Sequence, residues 1–159
     1  MVNLSALTYR NQFDKPSFGI FVVFINYSKF YTMQKMKNSV NWVEIPVLNF
    51  DRAKEFYSKI YEYEMYEEMM AGLRMGFLPM ERESQGVGGA IVQGNGYIPS
   101  KFGSKIFLNG GENLQKVLDR VIGAGGEIIQ QKTKITDEIG YFATFEDTEG
   151  NHVSLHSLK

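Results

Sequence analysis

The chain has 159 residues, 43% hydrophobic and 14% aromatic, which is enough for one good core and one domain built of two halves. Its formal net charge is −1, and its Lys and Arg residues are scattered, with Lys132 and Lys134 the nearest thing to a cluster. That excludes a basic surface suited to polyphosphate, so nucleic acid is not an expected partner. The absence of cysteine excludes disulfides, thiol nucleophiles and Cys-ligated zinc, and it suits a reducing cytoplasm.

Residues 1–35 differ from the rest. The apolar run at 18–27 is too short to cross a bilayer as a helix, so no membrane span is expected. Arg10 and Lys15 precede it as in a signal peptide, but residues 27–35 offer no small-residue cleavage site. We read 1–35 as an N-terminal extension and 36–159 as the domain proper.

From Trp42 onward the elements follow in order. Val43, Ile45 and Val47 alternate with Trp42, Glu44 and Pro46, which predicts a strand with one apolar face and, because of Pro46, an edge position or a bulge. Asn49 is placed to cap a helix, with Asp51 in its first turn and Phe50, Ala53, Tyr57 and Ile60 at helical spacing on one side. The alternation at 61–67 predicts a second strand, with Glu62, Glu64, Glu67 and Glu68 as its wet side. A turn at Ala71 and Gly72, a strand at 73–78, a polar loop at 81–85 and a strand at 87–93 complete module one, 40–94. Gly94 to Ser100 punctuates the middle of the chain.

Module two, 103–158, repeats the order. It has a strand at 104–109, a helix carrying Leu114, Val117, Leu118 and Val121, and a glycine stop at Gly125 and Gly126. Strands at 127–131, 140–145 and 152–158 follow, the last two joined by a turn at Asp147-Thr148-Glu149-Gly150. The fold class is therefore α+β, two tandem βαβββ modules. Met65, Met69, Met70, Met75 and Met80 gather near the second and third strands, as core filling or as a soft ligand wall. Gly86-Val87-Gly88-Gly89 lacks the helix and the Lys-Ser/Thr of a phosphate loop.

This duplicated unit closely resembles the vicinal oxygen chelate superfamily, which includes glyoxalase I, bleomycin-resistance proteins, fosfomycin-resistance enzymes and extradiol dioxygenases. The resemblance rests on Asn-Phe-Asp-Arg-Ala-Lys-Glu-Phe-Tyr at 49–57 and Phe-Glu-Asp-Thr-Glu-Gly-Asn-His-Val-Ser-Leu at 145–155, and it covers residues 37–159. It implies a curved mixed sheet with helices outside, a site in a shared concave cup, and a homodimer. It also implies metal ligands on the first and last strands of each module. Those positions hold Trp42, a residue between Ser104 and Ile106 (centrally Lys105), the run 87–92, and Ser154. None is a normal ligand for a divalent ion, so no cofactor is expected there.

On strand alternation Trp42 and Glu44, opposite Val43, face the cup, and so do His152, Ser154 and His156, opposite Val153 and Leu155, so both histidines are expected to share a face with Glu44. Three readings stay open. Glu44 and His156 form a general acid–base pair beside a Trp42 stacking surface, with Lys105, Ser154 and His152 touching a ligand. Alternatively, Glu44, His152 and His156 hold a divalent metal at a shifted site. In the plain structural reading, His152 is solvated and Glu44 and His156 satisfy each other or a nearby Lys. The expected function is capture of a small amphipathic or oxygen-rich molecule in the cup, and the alternative is a glyoxalase-like lyase or isomerase.

Overall fold

The computed structural model describes residues 38–81, 83 and 86–159. The reading of 1–35 and most of the polar loop at 81–85 lie outside those residues. Two βαβββ units follow each other. The first comprises β1 (Trp42–Pro46), α1 (Phe50–Tyr61), β2 (Glu67–Met70), β3 (Leu73–Phe77) and β4 (Gly88–Gln93). The second comprises β5 (Phe107–Asn109), α2 (Gln115–Val121), β6 (Glu127–Thr136), β7 (Gly140–Glu146) and β8 (His152–Ser157).

Each unit makes its own four-stranded sheet, in the orders β1-β4-β3-β2 and β5-β8-β7-β6. The first strand of each unit runs parallel to the last, as the intervening helix requires, and the remaining pairs are antiparallel. β1 is an edge strand, which is where Pro46 costs no ladder hydrogen bond. Asn49 caps α1 as its spacing predicts, its side chain accepting from the Arg52 N–H at 3.1 Å. At α2 the corresponding side chain is Asn113, which accepts from the Gln115 N–H at 3.1 Å.

Two elements differ from the sequence expectation. α1 runs on to Tyr61 and ends on Glu62, which takes the left-handed conformation at φ 53°. The second strand therefore begins at Glu67 rather than at 61. Tyr63 and Met65 alternate with acids because both side chains turn onto the core from the connection after α1, which is not part of β2. Accordingly, the acids at 62–68 are not one wet face: Glu67 meets Lys54 and Arg74. β6 is also longer than 127–131, because register shifts break the alternation that would have marked its second half.

One core serves both units. Ile45, Val47 and Ile91 of the first sheet, Phe50, Phe56, Tyr57 and Ile60 of α1, Leu114, Leu118 and Val121 on and before α2, and Phe145, Val153 and Leu155 of the second sheet form a single buried cluster. The Phe56 ring lies 5.7 Å from that of Phe145, so α1 reaches the second sheet as well as its own. Each sheet thus turns its helix-bearing face inward and its opposite face outward. The shared cup implied by the resemblance is not closed within one chain. Among the described residues no strand of one sheet pairs with a strand of the other, because the helices lie between them.

Candidate functional site

The outward face of the first sheet carries Trp42 and Glu44 on β1, as alternation predicts. Trp42 is 40% exposed, and its Nε1–H donates to Glu44 Oε1 at 3.2 Å. The second carboxylate oxygen accepts from the Tyr97 hydroxyl, and this bond raises the Tyr97 phenol above its ordinary value. Behind Trp42 lies Gly88, its register partner, where a Cβ would come within 2.8 Å of the indole ring. Gly88 is therefore a seat for an aromatic ring, while Gly89 admits the Val43 backbone, with a Cβ there only 2.9 Å from the Val43 carbonyl oxygen. Phe77 meets Trp42 edge-on at 6.1 Å between centroids, and Tyr66 stacks on Phe77 at 5.6 Å. The methionines divide: Met65 and Met75 are buried, while Met69, Met70 and Met80 are exposed.

The outward face of the second sheet carries His152, Ser154 and His156 together on β8. His152 Nε2 lies 3.0 Å from Glu146 Oε2, its cross-strand partner. His156 donates through Nε2 to the Ile139 carbonyl at 2.7 Å, since a carbonyl can only accept. Ser154 is 2% exposed, with its hydroxyl 2.9 Å from that of Thr144. Phe107 is in register with Ser154 and packs on Phe142 at 6.4 Å. Lys105 is exposed just ahead of β5.

Within one chain the structure does not bring Glu44 to His156, because their faces belong to different sheets with the helices between. Glu44 is held by Trp42 and Tyr97, and His156 by a backbone carbonyl. Tyr97 was not legible as a site residue, since it sits among the Gly94 and Gly96 punctuation and reaches β1 only through the fold. A cavity of about 1100 Å³ is lined by none of the six predicted residues. It lies between β1 and β5, lined by Val43, Tyr61, Tyr63, Leu78, Ile106 and Leu108 on one side and reaching Gly88 and Phe107 on the other. Burial there raises both tyrosine phenols far above the usual range.

A polar knot ties the two units together. Glu149, in the turn between β7 and β8, has a side chain only 1% exposed. It accepts from the Leu48 and Asn49 N–H groups at 3.0 and 2.8 Å and pairs with Arg52 at 2.8 Å. Burial alone would raise its carboxyl, but these donors outweigh burial and hold it below its ordinary value. Asp147 beside it accepts from the Tyr57 hydroxyl at 2.8 Å and from Asn151, yet burial dominates and raises its carboxyl.

No family model matches the chain, and no curated protein matches it by sequence. Solved structures do. A glyoxalase/bleomycin resistance protein from Albidiferax ferrireducens T118 is 14% identical with a TM-score of 0.56, over 76% of this chain and 98% of that one. UcmS2 is 25% identical with a TM-score of 0.53, over 76% and 98%. TnmS3 from Streptomyces sp. CB03234, an antibiotic binding protein, is 16% identical with a TM-score of 0.52, over 77% and 98%. The chain has the vicinal oxygen chelate fold.

The residues at that fold's chelating positions do not fit a divalent ion. Trp42 offers only a donor N–H, already engaged, and Ser154 is buried against Thr144. Among the described residues of one chain, no three His, Asp or Glu side chains converge as a metal site. The shifted set of Glu44, His152 and His156 is not assembled there either. In this version of the vicinal oxygen chelate fold the outward faces offer aromatic rings, hydroxyls and carboxylates instead. Among the described residues no helix is long and apolar enough to cross a membrane.

Proposed function

We propose that the protein binds a small amphipathic or oxygen-rich molecule in cups formed by two copies of the chain, the outward face of the first sheet of one opposing that of the second sheet of the other. The observation carrying this is the composition of those faces. The inward faces already share a core, yet the outward ones still present large apolar groups, with Tyr66 64%, Phe107 54%, Met70 46% and Trp42 40% exposed. Beside them stand ordered polar groups at Glu44, Tyr97, His152 and His156, the mixture expected of a small-molecule site. Similarity to a protein described as antibiotic binding supports capture over turnover. So does Glu44, whose two oxygens accept hydrogen bonds from Trp42 and from Tyr97, an arrangement suited to a scaffold more than to a free base. A chain with no cysteine fits a cytoplasmic setting.

Trp42 is the only tryptophan, so it reports on its own face. Titration with planar amphipathic antibiotics, hydroxy-carbonyl compounds and glutathione adducts is expected to change its fluorescence saturably for at least one class. That compound should be recovered unaltered by mass spectrometry, and the dialysed protein should hold well under one metal per chain. Turnover of the bound compound, or stoichiometric Ni, Zn, Fe or Mn, would replace this reading with a glyoxalase-like lyase or isomerase. Absence of any saturable response would remove the ligand itself.

A further inference from the structure

The outward face of the first sheet has a chemical bias that narrows the ligand class, on the reading that this face lines the cup. Register places Glu44, Ala90 and Phe77 in one row across β1, β4 and β3, and Tyr66 adjoins Phe77 at its end. Around the small residues Gly88 and Ala90 stand Trp42, Phe77, Tyr66 and Tyr97. The row ends at Glu44, held by Trp42 and Tyr97, and in the next row Glu68, the register partner of Met75, accepts from the Tyr66 hydroxyl at 3.2 Å.

No matching cation is supplied from within the sheet. Arg74 is the one basic residue in its four strands. It is turned to the helix side, where it lies 4.1 Å over the Phe50 ring and bonds Asp51 and Glu67. The outward face therefore combines ring π-clouds, negative on their faces, with two carboxylates. Donation of the indole N–H and the phenol O–H to Glu44 pushes further electron density into those rings. Both effects attract positive charge, and a weakly hydrated organic cation gives up least solvation on entering such a site. Among the residues of these four strands, an anionic group would meet Glu44 with no outward-facing basic side chain to offset it.

We infer that this face is a subsite for an organic cation, an ammonium or guanidinium group carried by the amphipathic ligand. The aromatic row takes the charged group and its alkyl substituents, and Glu44 fixes its position.

The test uses three small probes of one shape on the full chain: choline, neutral 3,3-dimethylbutanol and anionic 3,3-dimethylbutyrate. Trp42 fluorescence should report choline binding about tenfold tighter than the alcohol, the difference a cation among aromatic rings and a carboxylate supplies, and no binding of the anion. Glu44→Gln should bring the choline affinity close to that of the alcohol, the ratio of the two affinities within each protein being the readout. Tyr97→Phe, which removes one hydroxyl, should weaken choline less and serves if Glu44→Gln folds poorly. Equal affinity for choline and the alcohol, or choline binding indifferent to both substitutions, would overturn the cation subsite. If the antibiotic and adduct panel still binds in that case, the cup reading stands and only the cation preference falls. If neither panel nor probes reach Trp42, both fall.

Discussion

At the scale of single residues, the most consequential side chain outside the outward faces is Glu149. It satisfies two orphan N–H groups before and at the cap of α1, places a negative charge at the positive end of that helix, and pairs with Arg52. Glu149→Gln keeps the shape but removes the charge, and it should cost roughly 1–2 kcal/mol at neutral pH, the range of a charge-assisted hydrogen bond at a helix end. The pH dependence has a definite sign. The folded carboxyl lies below its unfolded value, so its contribution is complete above the ordinary glutamate range and is lost as pH falls through the depressed folded value. Urea midpoints at pH 7 and at pH 3 should therefore differ less for the Gln variant than for the wild-type chain. Parallel profiles would mean that the charge on Glu149 contributes nothing. Asp147 moves the other way: burial raises its carboxyl, so its effect on stability is lost as pH rises through the raised value, and it partly masks Glu149 in the native profile. The sequence showed an acidic turn here, and only the fold shows which of its acids reaches the other unit.

At the scale of elements, most of what was legible came from local periodicity. The cap at Asn49, the apolar side of α1, the glycine stop after α2 and the alternation of β1 and β8 are all properties of neighbours in sequence. The error at residues 61–67 has a physical cause, since a period of two reports which side chains turn onto the core and says nothing about whether a partner strand lies alongside. The late end of β6 was hidden for a related reason, because a bulge shifts the period by one. The approach of α1 to the second sheet was likewise invisible, and it concentrates at Gly126. A Cβ there would stand 2.7 Å from the Glu146 carbonyl oxygen and 2.8 Å from Phe56 Cε2. Backbone and a fully buried ring cannot both yield, so Gly126→Ala should destabilise by about 2–3 kcal/mol, as overpacking does. Gly123→Ala is the control: it lies in the turn after α2 without a left-handed φ, and its nearest contact would be 3.7 Å, so it should be close to neutral. A Gly126→Ala protein with an unchanged urea midpoint would show that the two units are not in tight contact at this point.

For the whole molecule, the decisive fact is the placement of both helices between the sheets, which sends the residues gathered from the sequence to two separate surfaces. Alternation correctly grouped Trp42 with Glu44, and His152 with Ser154 and His156. Placing the two groups on one face went beyond what alternation carries, because whether they meet depends on how one unit packs on the other between residues far apart in the chain, as Tyr57 and Asp147 are. In the proposed dimer the groups meet between copies, and Phe107 is the place to probe it. This side chain is 54% exposed at the edge strand β5, rests on Phe142, and belongs to no part of the shared core. Phe107→Glu should therefore leave monomer stability within about 1 kcal/mol, as for surface positions, while placing a charge in the contact. Light scattering is expected to give about twice the 18.2 kDa chain mass for the wild-type protein and one chain mass for the variant. The variant should also lose the Trp42 fluorescence response to ligand, although Trp42 lies on the other sheet, because each cup needs both copies. A wild-type protein that is monomeric at micromolar concentration and still binds ligand at Trp42 would mean that one outward face suffices, and the second sheet would then have to be assigned another role.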